Sequence, residues 1–296
     1  MTDQANVLRG LIERGRSAAA DAPVSASKSK ALTIAVTSGK GGVGKSNIAL
    51  NLAVALAEQD AQVCLLDANL GLGNIDLLCG LNGYWNLTHV VTGARTLKDI
   101  VLTGPAGIRV VPGASGLCDV VDCPPSIQQE IFAQLESLEQ SHDFILIDTG
   151  TGIHQSVRQF IYAADVVLIV TTPEPTSIAD AYATVKIFST GHVPHLEALV
   201  NQADSPRQAH AIIESLQKTA RLFLRTSVSS AGSIPRDRQV PAAVARRLPY
   251  LIFSPHCPAT RATRQLARRM RNLAQSHTRR GDFFPRVRQR SSGKAA

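Results

Sequence analysis

The chain of 296 residues has no apolar run near the roughly 18 residues that a membrane-spanning helix needs, so none is expected. Its first residues lack the apolar core of a secretory signal, and no signal peptide is expected either. Cysteine is sparse. Cys64, Cys79, Cys118, Cys123 and Cys257 are irregularly spaced, and no C-x-x-C pair occurs. That argues against a disulfide framework or a zinc ribbon, and for a reduced, cytoplasmic setting. Cys118 and Cys123 have no further His or Cys at ligand spacing, and the eight histidines are scattered, which leaves Ser/His hydrolase chemistry without support. Acid is missing from one region. Residues 261–296 hold eleven Lys and Arg against Asp282 alone, so they carry +10, and the other 260 residues sum to −2. The net charge of +8 thus belongs to the C-terminal end and not to the core.

What is present centres on Ser38–Ser46, which reads Ser-Gly-Lys-Gly-Gly-Val-Gly-Lys-Ser. Gly39 through Gly44, Lys45 and Ser46 fit G-x-x-x-x-G-K-[ST]. An apolar run, Leu32 to Val36, leads into it, and a helical pattern, Asn47 to Glu58, leaves it. That strand–loop–helix context is what a phosphate-binding loop requires. Glycines let the backbone curl so that successive N–H groups face phosphate oxygens, and the helix N-terminus adds its partial positive charge. The expected nucleotide-binding residues here are Gly39, Lys40, Gly41, Gly42, Val43, Gly44, Lys45, Ser46 and Asn47. Lys45 serves the β- and γ-phosphates, and Ser46 serves Mg²⁺.

Along the chain, residues 2–14 carry a short helical pattern with Val7, Leu8, Leu11 and Ile12 on one face. Residues 15–30 are rich in Ala, Ser and Lys and read as a flexible linker. The N-terminal helix is therefore a tethered docking peptide, which orders on a partner. Strands are predicted at 32–37, 62–66, 108–112, 144–148, 166–171, 196–200 and 228–234. Helices are predicted at 45–58, 126–140, 154–163, 177–189, 206–220, 240–247 and 259–276, with Ser126 as an N-cap. The runs Phe144–Ile147 and Val166–Val170 are continuous and β-rich, as in parallel strands buried on both faces. The alternation implies an α/β fold: a mostly parallel central sheet of about seven to eight strands with helices on both faces. Ligands then sit beyond the carboxyl ends of the strands. The Gly-rich stretch 71–107 reads as loops and short helices over the nucleotide edge. The expected division is residues 1–14, linker 15–30, ATPase domain 31–276 and basic tail 277–296.

Two predicted strands end in aspartate, at Asp67 and at Asp148 of Phe144-Ile-Leu-Ile-Asp148-Thr-Gly150. An apolar strand delivering a carboxylate beside a phosphate loop is the Walker B arrangement, so Asp148, with Ser46, is a candidate Mg²⁺ ligand. Gly150 and Gly152 permit a mobile segment after it. Here the likeness becomes specific. Lys40-Gly41-Gly42-Val43-Gly44-Lys45-Ser46 resembles the deviant Walker A motif of the MinD/ParA family. That resemblance implies an ATP-dependent homodimer in which Lys40 reaches the other subunit's phosphates. Leu65-Leu66-Asp67-Ala68-Asn69-Leu70-Gly71-Leu72-Gly73-Asn74-Ile75-Asp76 resembles the family's switch I, and Asp148-Thr149-Gly150 its switch II. Asn201, closing Leu199-Val200-Asn201, resembles the adenine-reading asparagine, and Ile234-Pro235-Arg236-Asp237 the segment that closes over the base. The resemblance thus adds Asn201, Pro235 and Asp237 to the nucleotide site, Asp67 to the metal site, and Lys40, Asp67 and Asn69 as catalytic positions.

Several segments are similar to the FlhG/FleN branch, the MinD-like regulators of flagellar number and placement. They include Asn86-Leu87-Thr88-His89-Val90, Val111-Pro112-Gly113-Ala114-Ser115-Gly116 and Thr172–Tyr182. Asp3-Gln4-Ala5-Asn6-Val7-Leu8-Arg9 matches the branch's D-Q-A-x-x-L-R motif, which stimulates the GTPase of an FlhF-type partner. Asp3, Gln4, Ala5, Leu8 and Arg9 are the partner-binding residues this implies. Flagellar basal-body or transcription-factor proteins are further partners of that branch. A dimer face is expected to include the helix from Ser177, near Glu174 and Asp180. At the other end, Ala262, Leu266, Met270 and Leu273 fall on one side of the predicted helix 259–276, with Arg261, Arg264, Arg268 and Arg271 opposite. Family members commonly end in a membrane-targeting segment. Phe283, Phe284 and Val287 among arginines would be its apolar contacts with anionic lipid here. A basic tail without lipid and a DNA-binding tail are the alternatives, DNA being disfavoured by the N-terminal motif. The expected location is cytoplasmic, peripheral at the inner face of the cell membrane near a pole. An iron–sulfur ATPase of related fold would need a cysteine near Gly150, and none lies between Cys123 and Cys257.

One position departs from the family pattern. The residue two after Asp67 is usually a second aspartate that orients or activates the attacking water, and here it is Asn69. An amide positions water but takes no proton, so slow hydrolysis is expected, with a non-hydrolysing scaffold as the limit. Asn69→Asp should raise ATP turnover by up to about 10²–10⁴-fold. Phosphate release measured on both proteins checks this, and an aspartate variant no faster than wild type would clear Asn69 of limiting the rate.

Overall fold

The computed structural model describes residues 31–68, 75–113, 125–150, 155–189, 194–276 and 282–291. Asp3, Gln4, Ala5, Leu8, Arg9, the linker 15–30 and Asn69 lie outside the described residues. In chain order, β1 (Leu32–Thr37) leads to α1 (Lys45–Ala57) and β2 (Val63–Ala68). The short helices α2 (Ile75–Leu78), α3 (Leu87–Val91) and α4 (Leu97–Ile100) follow, then β3 (Leu102–Thr103) and β4 (Arg109–Val111). The alternation resumes with α5 (Pro125–Ser141), β5 (Phe144–Thr149), α6 (Gln155–Ala163), β6 (Val166–Thr171), α7 (Pro175–Phe188), β7 (His195–Ala203), α8 (Pro206–Thr219) and β8 (Val228–Pro235). The chain closes with α9 (Gln239–Ala245), α10 (Tyr250–Phe253), α11 (Pro258–Ser276) and α12 (Phe283–Ser291).

These strands form one eight-stranded sheet in the order β3-β4-β2-β5-β1-β6-β7-β8. Every pairing is parallel except β3 with β4, at the edge. Successive residues of a strand point to opposite faces. Ile145, Ile147, Val167 and Ile169 join Phe132, Phe160 and Val185 in one apolar cluster. Leu32, Ile34, Leu146 and Leu168 join Leu52, Leu56, Leu266 and Met270 in the other. Both faces are covered, which is why these strands read as unbroken apolar runs. Helix α1 is buried nearly all round, because α11 and α10 pack over it on the side away from the sheet.

The sequence expectations differ from the structure at three places. Helix α5 begins at Pro125, so Ser126 lies inside it and not at its cap. Proline suits the first helical position, whose N–H has no helical partner. The buried face of α11 is Ala259, Thr263, Leu266, Ala267, Met270 and Ala274, with Ala262 and Leu273 only at its rim. The largest correction concerns the tail. Phe283, Phe284 and Val287 are fully buried, and α12 packs against α5 and α6. The two rings meet Phe132 and Phe160 at centroid distances of 6.4 Å each. The Phe283 N–H donates to the buried Glu139 Oε1 at 2.8 Å, and Arg286 donates to the Ala163 carbonyl. These residues are core, so the domain extends past residue 276, and in this structure they present nothing to lipid.

Three arginines of the basic end are likewise tied to the rest of the chain. Arg269 forms a two-pronged contact with Glu197 at 2.8 and 2.9 Å, Arg264 one with Glu58 at 2.9 and 3.2 Å, and Arg271 donates to the Gln59 carbonyl at 2.8 Å. Glu197 is buried in β7. Burial raises its pKa, but the His195 and Arg269 contacts outweigh that and hold it below the ordinary carboxylate range.

Phe283→Ala and Phe284→Ala should each cost about 3–5 kcal/mol of stability. Denaturant unfolding checks this. Midpoints equal to wild type would mean that α12 does not hold the domain together.

Candidate functional site

The site is built at the carboxyl ends of β1, β2, β5 and β7. After β1 the chain turns through residues 38–44, where Gly42 (φ 78°) and Gly44 (φ 90°) take left-handed conformations that favour glycine. Ser38 Oγ donates to the Lys40 carbonyl at 2.7 Å and tightens the turn. A side chain at Gly39 would overlap the Asp180 carbonyl of α7, and one at Gly44 would meet the Asn201 amide nitrogen at 2.6 Å. The loop is therefore wedged between α7 and β7, and Gly44 opens α1 with its amides free to face an anion.

Two acids stand side by side below this loop. Asp67 and Asp148 are direct register partners on β2 and β5, and both are buried. Asp67 Oδ2 accepts the Ile75 N–H at 3.3 Å, so it holds the far end of the segment that contains Asn69. Both oxygens of Asp148 are buried, and among the described residues no well-formed hydrogen bond reaches either of them. Burial pushes its carboxyl up to about 6, against the pull of the Lys45 ammonium and the Ser46 hydroxyl beside it. A buried carboxylate in that state is costly alone and fits a hard cation. Ser46, Asp148 and Asp67 would hold Mg²⁺, directly or through water, and the ion would supply charge neutralisation at phosphate oxygens. Thr149 Oγ1 donates to the Val36 carbonyl at 3.0 Å and locks the end of β5 to β1.

The base side is a cavity of about 650 Å³ lined by Gly44, Asn47, Asn201, Pro235, Asp237 and Tyr250, among others. Asn201 Nδ2 donates to the Val43 carbonyl at 2.8 Å. The β7–β8 ladder slips between Asn201 and Ala203, with Gln202 left-handed at φ 56°, and such a bulge re-aims a side chain. Asp237 has a second task. Its Oδ1 accepts the Gln239 N–H at 2.9 Å and its Oδ2 the Ala259 N–H at 3.1 Å, so it braces the base-side segment against the start of α11. Burial works against its charge, but these amide bonds keep its pKa below the usual range.

The structure thus brings together Gly39–Asn47, Asp67, Asp148, Asn201, Pro235 and Asp237. Lys40 is engaged within its own chain, on the Glu174 carboxylate and on Thr176 Oγ1 at 2.9 Å. That contact holds the Glu174 carboxyl below its ordinary range. Ser177 is turned inward, its hydroxyl accepting the Thr172 N–H at 3.0 Å. Sequence reasoning missed Gly113, where any side chain would overlap the Asp67 carbonyl, and Tyr250, which closes the cavity floor. The signal for Gly113 lay in the quoted Val-Pro-Gly segment, but it gained no role until its approach to Asp67 was seen.

The sequence profile of the ParA family, described as an NUBPL iron-transfer P-loop NTPase, matches residues 30–271. The chain belongs to the ParA family of P-loop NTPases. It is 39% identical over 238 residues to the antiactivator FleN of Pseudomonas aeruginosa, covering 80% of this chain and 85% of that one. It is 38% identical to the flagellum site-determining protein YlxH of Helicobacter pylori over 64% of either chain. The fold is that of the cell division ATPase MinD of Pyrococcus furiosus, with a TM-score of 0.68 at 23% identity over 82% of this chain and 99% of that one. MinD of Pyrococcus horikoshii, solved with Mg-ADP, aligns equally well, with a TM-score of 0.68 at 23% identity over 84% and 99%. The MinD-like resemblance drawn from the motifs therefore stands, and with it a family fold suited to nucleotide and Mg²⁺.

Asp148→Asn removes a buried charge. Because burial raises the folded-state pKa above the unfolded value, the metal-free wild type should lose stability as pH rises from about 4 through about 6, by on the order of 2–3 kcal/mol. The asparagine variant should lack that step, melt higher than metal-free wild type at neutral pH, and gain no stability from Mg²⁺ with ATP. Thermal unfolding across pH checks it, and an identical pH profile in both proteins would contradict it.

Proposed function

We propose that this ParA-family protein is an ATP-dependent dimerising switch that regulates flagellar number or placement. The observation that carries the reading is the phosphate loop with Lys40 at its exposed rim and the buried Asp148 carboxylate beneath it, in a chain similar to FleN and YlxH. ATP enters between the phosphate loop and the Asn201 side of the cavity. Lys40 leaves Glu174 for the phosphates of a second copy, which completes the site. An exposed Lys–Glu pair is weak and screened by salt, so a polyphosphate competes with it readily. Hydrolysis is slow because Asn69 positions water without accepting its proton. The released state is the monomer.

The Asp3–Arg9 motif gives the switch its output, stimulation of the GTPase of an FlhF-type partner. The working place is the cytoplasm, at the inner face of the membrane near a pole. The likeness to YlxH, a flagellum site-determining protein, supports that reading. A DNA-binding role draws less support from the basic C-terminal end than its charge suggests, because Arg264, Arg269, Arg271 and Arg286 are engaged by groups of their own chain.

Size-exclusion chromatography with light scattering should give a monomer in ADP and a dimer in ATP for wild type, and a monomer in both for Lys40→Ala. Phosphate release followed in parallel should be slow. A monomer in both nucleotides for wild type would overturn the switch.

A further inference from the structure

The turn between α8 and β8 exposes apolar surface that the nucleotide site does not use. Residues 220–224, Ala-Arg-Leu-Phe-Leu, form a single wide helical turn, ended by Arg225 in the left-handed conformation at φ 51°. Ala220 and Leu224 turn inward onto the cluster that includes Phe188 and Leu216. Leu222 and Phe223 turn outward and are 63% and 74% exposed, the largest values among the exposed large hydrophobics after Tyr84. Two adjacent bulky apolar side chains held out by a wide turn and a left-handed residue are not incidental exposure. Their surround is cationic. Lys218, Arg221 and Arg225 flank them and are all exposed, and none pairs with an acid among the described residues. The last turn of α7, which packs on this segment, adds exposed Lys186. Glu214, two turns back on α8, is the one acid of the neighbouring helical stretch 206–225.

We propose that this turn is a lipid-contact site, which sets Leu222 and Phe223 into the interface of an anionic membrane with Lys218, Arg221 and Arg225 on its phosphates. Apolar side chains in a basic surround are the composition that interfacial binding rewards, and juxtaposed cations meet the negative surface potential of such a leaflet. High exposure makes the turn a protrusion, which suits a soft planar surface better than a protein pocket. Its position agrees. The turn precedes β8, which runs parallel to β7, so it lies at the end of the sheet opposite the phosphate loop. A chain resting on lipid here keeps Lys40 and the base cavity turned away from the membrane and free to meet a second copy. The contact also does not require α12 to leave the core. It goes beyond the switch reading and does not rest on it, since none of its residues lines the nucleotide cavity.

Sedimentation of the full-length protein tests this with vesicles of phosphatidylglycerol and phosphatidylcholine in equal parts, against phosphatidylcholine alone, each with and without ATP. Wild type should pellet on the anionic vesicles only. Leu222→Ser with Phe223→Ser should weaken that partition by about tenfold or more, and Arg221→Ser should weaken it and flatten its salt dependence. Thermal midpoints should match wild type, because all three side chains are exposed. Phe223→Trp in a Trp85→Phe background should shift its emission to the blue on anionic vesicles, which adsorption by charge alone does not produce. Pelleting of the double variant at the wild-type level, equal binding to neutral vesicles, absence of wild-type binding, or an unshifted emission from the introduced tryptophan would each overturn the proposal. So would a double variant that pellets normally while losing a protein partner.

Discussion

A carboxylate buried at the end of a central strand with no well-formed hydrogen bond among the described residues is expensive, and Asp148 is held in that state by everything around it. β5 lies between β1 and β2, so the residue that follows its apolar run cannot reach solvent sideways. Thr149 fixes the strand end to β1, and the register sets Asp67 level with Asp148 on the neighbouring strand. Lys45 and Ser46, the first residues of α1, come down beside it because the phosphate loop turns through two left-handed glycines. A cation with phosphates in the loop would supply the charge that this carboxylate lacks. That dependence couples the fold's stability to its ligand by mass action.

The same constraint orders the rest of the nucleotide end. Gly39 is pressed on α7, Gly44 on Asn201, and Gly113 on the Asp67 backbone, so the phosphate loop at two points and the segment after β4 at one are fixed by the absence of a side chain. Asp237 then ties the base side to α11, and the Asn51 side chain accepts the Leu251 N–H at 3.1 Å, which ties α1 to α10. The cavity is thus closed from the C-terminal part of the chain, which explains why a phosphate loop near the N-terminus and helices two hundred residues later act as one site.

Much of this was legible in the sequence. Parallel strands buried on both faces announce themselves as apolar runs, and β1 and β6 begin and end where the runs of Leu32–Thr37 and Val166–Thr171 do. The phosphate loop was legible because its chemistry is local. What was not legible depends on contacts between distant residues. The bulge at Gln202 that turns Asn201 inward has no local signature, and left-handed non-glycine residues such as Gln202 and Arg225 look ordinary in sequence. Lys40 showed its exposure but not its partner, because Glu174 lies 134 positions away.

The C-terminal end shows why charge counting misled. Eleven cations against one acid describe a stretch of sequence, yet three of them, Arg264, Arg269 and Arg286, are answered by Glu58, Glu197 and Asp165 from other parts of the chain. Phe283 and Phe284 beside arginines read as an amphipathic lipid anchor for the same reason. Arg286 instead reaches the Ala163 carbonyl and Asp165, and the backbone of Phe283 reaches Glu139, so polar groups at the ends of α5 and α6 receive the helix and the rings fill the space between them. A helix whose charged residues have partners inside the fold is part of that fold. Exposed apolar residues whose neighbouring cations have no acid partner among the described residues, as at Leu222 and Phe223, are where an outside surface has something to offer.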